Sequence, residues 1–341
     1  MREMVFIGID WGTSSARAYA FDRQGEILAT ASDSPAQAMG VQTLRQRLDR
    51  EPTSSDFGTA LKALLAGLPA AVSAPMLLPS TQPGRQSARE FPILACGMIG
   101  SKQGLVDAGY SPCPTSPASL AAHLVQAQCG PFKLWIAPGL RLPGTTGGLP
   151  DFMRGEETQV LGAQLDGLFV LPGSHSKWID VDQGTITQFE THFSGELFAV
   201  LKEHSILGRL FANPSTESAT QSLLNPPLTQ AQSDAFLRGI DTAKKHPQNL
   251  LQHLFSTRAL GLDGQLTAAS GESFLSGLLI GHEVCAALSN RGAITSVHLV
   301  GNPQLCERYA QALACFNIKS HTLGNTSALG LWRLGQAAKL F

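Results

Sequence analysis

The sequence predicts an α/β protein built from two related domains. Two observations predict it. An apolar strand that enters a Gly/Ser turn, leaves as an alternating strand, turns, and forms a third strand occurs twice, near residues 5–31 and 168–190. Helical spacing dominates the stretches that follow each unit, as expected when strands are covered by helices. The repeat is one of pattern and not of residue identity. It places a junction between the domains near 150–166.

The elements follow in order. Val5 to Asp10 reads as a strand, Ala16 to Phe21 alternates, and "DRQG" turns the chain into "EILAT", giving an antiparallel meander. Leu44, Leu48, Leu61, Leu64, Leu65 and Leu68 carry helical spacing over 41–71. "PSTQPGRQSARE" (79–90) is expected as an exposed loop. "FPILACGMIG" and "FKLWIAPGL" read as strands, the first running into a glycine turn, and "RLPGTTGGLPD" (141–151) as a loop. "RGEETQVLGAQL" has acidic residues in its first turn, where a helix dipole favours them. After the second meander come helices over 194–207, 231–246 and 272–290, late strands at 296–301 and 317–323, and a last helix over about 326–340. Gly277 and Gly281 mark a close helix contact.

Composition narrows the function. The formal net charge is −1, so no strong field is built in for nucleic acid or an anionic membrane surface. No apolar stretch reaches the length of a membrane span, and the first residues lack the pattern of a signal peptide. The 6 cysteines form no C-x-x-C pair and read as free thiols of a cytoplasmic protein.

The chemistry concentrates in the two Gly/Ser turns. In "GIDWGTSS", Gly12 permits a tight turn, and the N–H groups and hydroxyls of Thr13, Ser14 and Ser15 suit phosphate oxygens. Asp10 beside them suits Mg²⁺, which takes a few carboxylates together with phosphate and water. An ordinary hairpin turn explains the stretch equally well taken alone. The second turn, "LPGSHSKW", repeats the theme with Gly173, Ser174, Ser176 and Lys177. P-loop, dinucleotide and nucleophile-elbow motifs do not occur.

"IGIDWGTSSARAYAFD" resembles the first phosphate motif of the actin/hexokinase/sugar-kinase superfamily. With "ACGMIGSKQGL", "MRGEETQVLGA", "LPGSHSKWI", "SGELFAVLKEHSILG" and "SFLSGLLIGHEV", the chain resembles the 2-dehydro-3-deoxygalactonokinase family from about residue 5 to about 335. The resemblance implies two ribonuclease-H-like (actin-like ATPase) domains flanking a cleft. It implies an N-terminal substrate and phosphate domain over 1–155 and a C-terminal nucleotide domain over 156–341. It also implies ATP and Mg²⁺, with phosphorylation of the C6 hydroxyl of 2-dehydro-3-deoxy-D-galactonate.

By the same resemblance Asp10 is the metal and phosphate aspartate. Gly12, Thr13 and Ser14 form the first phosphate turn, and Gly173, Ser174, His175, Ser176 and Lys177 the second. "HLVGNPQL" takes the place of the adenosine segment through Gly301 and Asn302. Glu156 stands where related sugar kinases carry the basic aspartate, with Glu157 and Asp151 as competitors. Gly97, Ser101, Lys102, Arg154 and Glu157 are expected toward the acid sugar. Glu156 and Glu157 read equally as residues that favour a helix start, and Arg154 as a solvated arginine. His175 reads also as a turn or packing residue, and Ser194 as the N-cap of the helix carrying Glu196. The expected partners are small molecules, with no nucleic acid and no membrane. A kinase for another sugar acid, such as the gluconate epimer, and a non-catalytic ATP-binding regulator remain as alternatives.

Overall fold

The computed structural model describes residues 3–70, 91–144, 148–211 and 229–341. The loop expected at 79–90, and residues 145–147 of the one expected at 141–151, lie outside the described residues. The fold is α/β with mixed sheets. β1 (Met4–Trp11), β2 (Ala16–Asp22) and β3 (Ile27–Ser32) form the first meander. β4 (Ile93–Gly97), β6 (Val125–Cys129) and β7 (Phe132–Ile136) complete a sheet of order β3-β2-β1-β4-β7-β6. β4 runs parallel to both β1 and β7.

The second meander is β10 (Gly167–Leu171), β11 (Ser176–Asp182) and β12 (Thr185–His192), with β13 (Ser296–Leu299) and β14 (Lys319–Thr322). Its order is β12-β11-β10-β13-β14, with β13 parallel to β10 and β14. Both sheets therefore place the meander first and add parallel strands beyond its opening strand, the first sheet ending in an antiparallel edge strand, β6. A small third sheet has the order β5-β8-β9, from Tyr110–Pro112, Gly139–Leu142 and Asp151–Met153.

The compact units differ from the expected division at 155/156. Unit 1 comprises Met1–Gly167, Ile179–Phe189 and Asn325–Phe341, and unit 2 comprises Leu168–Trp178 and Glu190–Gly324. The helix start at Glu156 belongs to unit 1 because its helix, Glu156–Ala163, packs against the C-terminal helix, Ser327–Ala337. Thr326 Oγ1 donates to the Gln159 carbonyl (2.6 Å) and Arg333 Nη1 to the Leu161 carbonyl (2.7 Å). Gly330 and Gly162 permit the approach: a Cβ on Gly330 would lie 1.8 Å from the Thr158 carbonyl oxygen.

Strand β1 is buried on both faces, as a strand inside an α/β sheet must be. Ile7, Ile9 and Trp11 join the core with Phe57, Leu61 and Leu64 of the helix Ser54–Ala66. Fully burying each such side chain contributes roughly 1.5–3 kcal/mol. Phe6 and Gly8 face the other way. Phe6 packs edge-on against Trp332, with ring centroids 6.1 Å apart, and a Cβ on Gly8 would lie 3.0 Å from Leu331 Cβ. Asp10 continues that alternation toward the start of the C-terminal helix.

In unit 2 the helices Gln230–Lys245 and Ala268–Ser289 pack through glycines, as the Gly277/Gly281 spacing predicts. A Cβ on Gly277 would lie 2.0 Å from the Phe236 carbonyl oxygen, and one on Gly281 3.0 Å from Ile240 Cα. Helix Leu250–Leu262 is not anticipated by the sequence reading; its apolar residues are spread around the helix, and Leu251, Phe255 and Leu262 are exposed. All 6 cysteines are free. Among the described residues no helix is long and apolar enough to cross a membrane.

Replacing Gly277 by Ala must push two helices apart. The expected cost is about 2 kcal/mol, read as a melting temperature several degrees lower. A melting temperature equal to that of wild type would show that the helices do not meet there.

Candidate active site

In unit 1 three chain segments meet at the C-terminal ends of β1 and β4, the edge at which open α/β sheets present ligand-binding loops. Asp10 pairs with Cys96 and Trp11 with Gly97 across these parallel strands. Gly97 has φ +89°, and a Cβ there would lie 2.7 Å from the Trp11 carbonyl oxygen. Gly155 has φ +104°, and a Cβ there would lie 3.4 Å from Gly97 Cα. The acidic helix start is thereby laid directly on the ends of the two strands.

Asp10 is half-buried. Burial raises its pKa above the usual carboxylate value; Ser327, Arg17 and Asn325 act in the opposite direction and only partly offset it. Ser327 Oγ is buried beside it yet makes no hydrogen bond of standard geometry. The Asp10 carboxyl, with the Ser327 hydroxyl and the Asn325 carboxamide beside it, presents oxygen donors of the kind a hard cation takes. Among the described residues no group of three or more His, Cys, Asp or Glu side chains is arranged to hold a metal. Mg²⁺ does not require such a cage, since it is commonly held by one or two carboxylates together with phosphate oxygens and water. Asn325 and Ser327 are missing from the sequence reading. The "GNTS" run before the last helix carried a signal of the same Gly/hydroxyl type.

The first phosphate turn is seated on a helix. Val41 N–H donates to the Gly12 carbonyl (3.1 Å) and Gln42 N–H to the Thr13 carbonyl (3.0 Å), both at the start of the helix Val41–Leu48. Gly40 makes this contact possible, because a Cβ there would lie 2.2 Å from Ser14 C. With carbonyls turned toward the helix, Thr13, Ser14 and Ser15 are exposed. One expectation is corrected: Gly12 N–H donates to the Ser15 carbonyl (2.9 Å), so it closes the turn and is not offered to a phosphate.

The two glutamates at the helix start differ sharply. Glu156 is half-buried and one of its oxygens accepts from Arg154 N–H (2.9 Å). Glu157 is fully buried; its oxygens accept from Gly155 N–H (2.7 Å) and Thr158 Oγ1 (3.0 Å). Burial, reinforced by the neighbouring Glu156 charge, pushes its pKa up to about 7. The expected substrate contact by Glu157 is therefore corrected: its carboxyl fixes the backbone of the helix start. Asp151 lies in β9, where it accepts from Phe152 N–H (2.6 Å).

Two further expected substrate contacts change. Ser101 is buried and its hydroxyl donates to the Met98 carbonyl (2.8 Å) inside its own turn. Arg154 is not a solvated helix-start arginine. Its Nη2 donates to the Gly109 carbonyl (2.8 Å), the guanidinium lies 4.4 Å from the Tyr110 ring centroid, and Nε and Nη1 are buried without a hydrogen-bond partner. It joins the 97–101 turn to the Gly109–Tyr110 segment. Lys102 is exposed. Burial raises the Cys96 thiol pKa well above its usual range, so Cys96 is a packing residue.

In unit 2 the second turn repeats the seating of the first. Glu196 N–H donates to the Ser174 carbonyl (2.9 Å), and a Cβ on Gly195 would lie 2.2 Å from the Gly173 carbonyl oxygen. The helix is Ser194–His204 and its N-cap is Phe193, so Ser194 does not cap it. Ser174 and His175 are exposed and Gly173 is half-buried. Ser176 and Lys177 are buried within β11, which corrects their expected phosphate contacts. Ser176 Oγ bonds Tyr309 Oη (2.7 Å), which donates to Glu283 (2.7 Å), and Trp178 Nε1 donates to the same carboxyl (2.9 Å). Lys177 Nζ donates to Thr191 Oγ1 (2.7 Å).

Gly301 lies beside this turn, at the end of β13, with φ +143°; a Cβ there would lie 3.6 Å from the Pro172 carbonyl oxygen. Asn302 is the N-cap of the helix Pro303–Cys315, its Oδ1 accepting from Gln304 and Leu305 N–H (3.0 and 3.2 Å). That carboxamide oxygen is engaged in capping, which corrects its expected contact with adenosine.

The Glu157 setting predicts a pH effect. A carboxyl whose pKa rises from the unfolded 4.5 to about 7 on folding favours the folded state fully below pH 4.5. That contribution is lost as pH rises through about 7. Glu157→Gln removes the loss, so the stability of wild type minus that of the variant should fall by on the order of 3 kcal/mol between pH 4.5 and 7.5. Parallel stability curves for the two proteins would contradict the buried, protonatable setting.

A family model for 2-keto-3-deoxy-galactonokinase matches residues 10–334. A curated 2-dehydro-3-deoxygalactonokinase of Escherichia coli (strain K12) is 31% identical over 310 residues, covering 90% of this chain and 88% of that relative. A candidate enzyme of the same name from Rhizobium meliloti (strain 1021) is 32% identical over 313 residues, with the same coverage of 90% and 88%. The crystal structure of a candidate 2-dehydro-3-deoxygalactonokinase from Sinorhizobium meliloti is similar with a TM-score of 0.75 and 31% identity, covering 97% of this chain and 98% of that one. With the family model spanning nearly all of the sequence and both curated relatives above 30% identity, the chain belongs to the 2-keto-3-deoxy-galactonokinase family, a family of phosphotransferases with an alcohol acceptor.

Proposed function

We propose that the chain transfers the γ-phosphoryl group of ATP to the C6 hydroxyl of 2-dehydro-3-deoxy-D-galactonate. The observation that carries this reading is the Asp10 carboxylate at the end of β1, with the Glu156 helix start laid beside it through Gly97 and Gly155. Family membership supports the substrate class and the use of ATP.

Unit 1 carries the acceptor chemistry in this reading. Glu156, half-exposed where Glu157 is buried, takes the proton of the sugar hydroxyl as general base. Its longer stem replaces the aspartate of related sugar kinases. Glu157 holds Gly155 N–H and so fixes the position of Glu156. The exposed Lys102 supplies positive charge suited to the acid group of the sugar. Asp10 would hold Mg²⁺, with Ser327 Oγ beside it, and the ion would neutralise charge on the phosphates during transfer. The N–H groups of the exposed Thr13 and Ser14 bind phosphate oxygens in this reading. In unit 2, Gly173, Ser174 and His175 take the nucleotide phosphates, and the backbone at Gly301 borders the adenosine. Each of the two larger sheets, with its helices, is read as a ribonuclease-H-like domain, on the strand order they share.

Phosphoryl transfer is mostly positioning and charge neutralisation, so the aspartate matters more than the base. Asp10→Asn should lower turnover by orders of magnitude with the fold intact by circular dichroism; near-normal turnover would sink the assignment. Glu156→Gln should lower kcat far more than it raises the ATP KM, and an unchanged kcat would move the base to Asp151 or Glu157. ADP release measured with the two C4-epimeric keto-deoxy acids should favour the galactonate form. Equal or reversed preference would assign the chain to another sugar acid.

A further inference from the structure

The sequence offers Lys177 as the cation of the second phosphate turn, but the fold withdraws it. Lys177 is buried, 5% exposed, and its ammonium donates to Thr191 Oγ1 at the end of β12. Ser176 is turned into the Tyr309–Glu283 network. The turn keeps one other group able to carry positive charge. We propose that His175, oriented by Glu196, is the charged donor that this turn presents to the nucleotide phosphates. The proposal rests on the reading of the chain as an ATP-dependent kinase.

Two contacts hold the imidazole, and a third ties its carboxylate partner to the turn. Nε2 lies 2.5 Å from Glu196 Oε2. The ring stacks on Phe193, with centroids 5.3 Å apart and planes inclined by 22°. Glu196 itself is tied to the turn, because its N–H donates to the Ser174 carbonyl. The carboxylate, the aromatic face and the N–H that bonds the turn carbonyl thus come from one short segment, Phe193–Glu196, and fix both the tilt and the rotation of the ring. Despite these contacts the imidazole stays 48% exposed.

The donor arithmetic follows from the ring. Nε2–H donates to the carboxylate, so a phosphate oxygen at Nδ1 is compatible only with the doubly protonated ring, in which Nδ1–H is the second donor. That bond is charge-assisted on both sides. Glu196 acts as a positioning residue: it consumes one donor and aims the other. A lysine in this place would supply a point charge on a flexible stem; the held imidazole supplies a directed one.

The test is nucleotide binding and kinetics on the full chain. His175→Ala should weaken MgATP binding, measured by titration calorimetry without the sugar acid, on the order of 10-fold, the size expected for one charge-assisted bond. The ATP KM should rise in step while the KM for the keto-deoxy acid stays unchanged. His175→Lys, which restores a cation, should recover most of the loss. Glu196→Ala should weaken ATP binding in the presence of His175 and have no further effect in the His175→Ala background. An ATP affinity within two-fold of wild type in folded His175→Ala overturns the proposal alone. A wild-type chain that binds no MgATP overturns it together with the kinase reading.

Discussion

The half-site of unit 1 depends on how closely the C-terminal helix lies on β1 and on the helix Glu156–Ala163. Along β1, Phe6, Gly8 and Asp10 point to the same face. Phe6 meets Trp332, Gly8 leaves room for Leu331, and Asp10 meets the helix start at Asn325 and Ser327. On its other side the same helix reaches backbone contact with Thr158 through Gly330. One helix therefore sets the environment of the proposed metal carboxylate and the position of the proposed base. A side chain at Gly8 or Gly330 would separate the two before it altered either.

The two turns share a device that neither shows locally. Each is preceded in space by a helix start bearing a glycine, Gly40 for the first and Gly195 for the second. Helix N–H groups accept the job of satisfying the turn carbonyls, which would otherwise need water or side chains. With these carbonyls engaged, Thr13, Ser14 and Ser15 of the first turn and Ser174 and His175 of the second are exposed. The seating is the same in the two units although the sequences of the turns differ.

Much of this was legible in the sequence. The repeated meander, the strands beyond it and the glycine contact at Gly277 follow from local pattern; their parallel pairing does not. The errors share a cause: each depends on which face of an element is covered, and a partner distant in sequence decides that. Ser176 and Lys177 sit in a strand buried on both faces, so alternation did not mark either as inward. Glu156 and Glu157 are adjacent on a helix and diverge by about 100°; Glu157 is the one turned inward, toward Cys96 at the end of β4. Asn325 and Ser327 lie more than 300 residues from Asp10 in the chain, so no spacing linked them. Asn302 was the exception, since Asn followed by Pro at a helix start is a capping signal that could have been read.

Each turn, taken within its own unit, is proposed as a phosphate-binding segment. Amide hydrogen exchange with saturating Mg²⁺ and a non-hydrolysable ATP analogue tests it most directly. New protection is expected at Thr13–Ser15 in unit 1 and, separately, at Gly173–His175 in unit 2, with Gly12 unchanged because its N–H is already bonded to Ser15. A turn left unprotected while the analogue is bound would contradict its assignment.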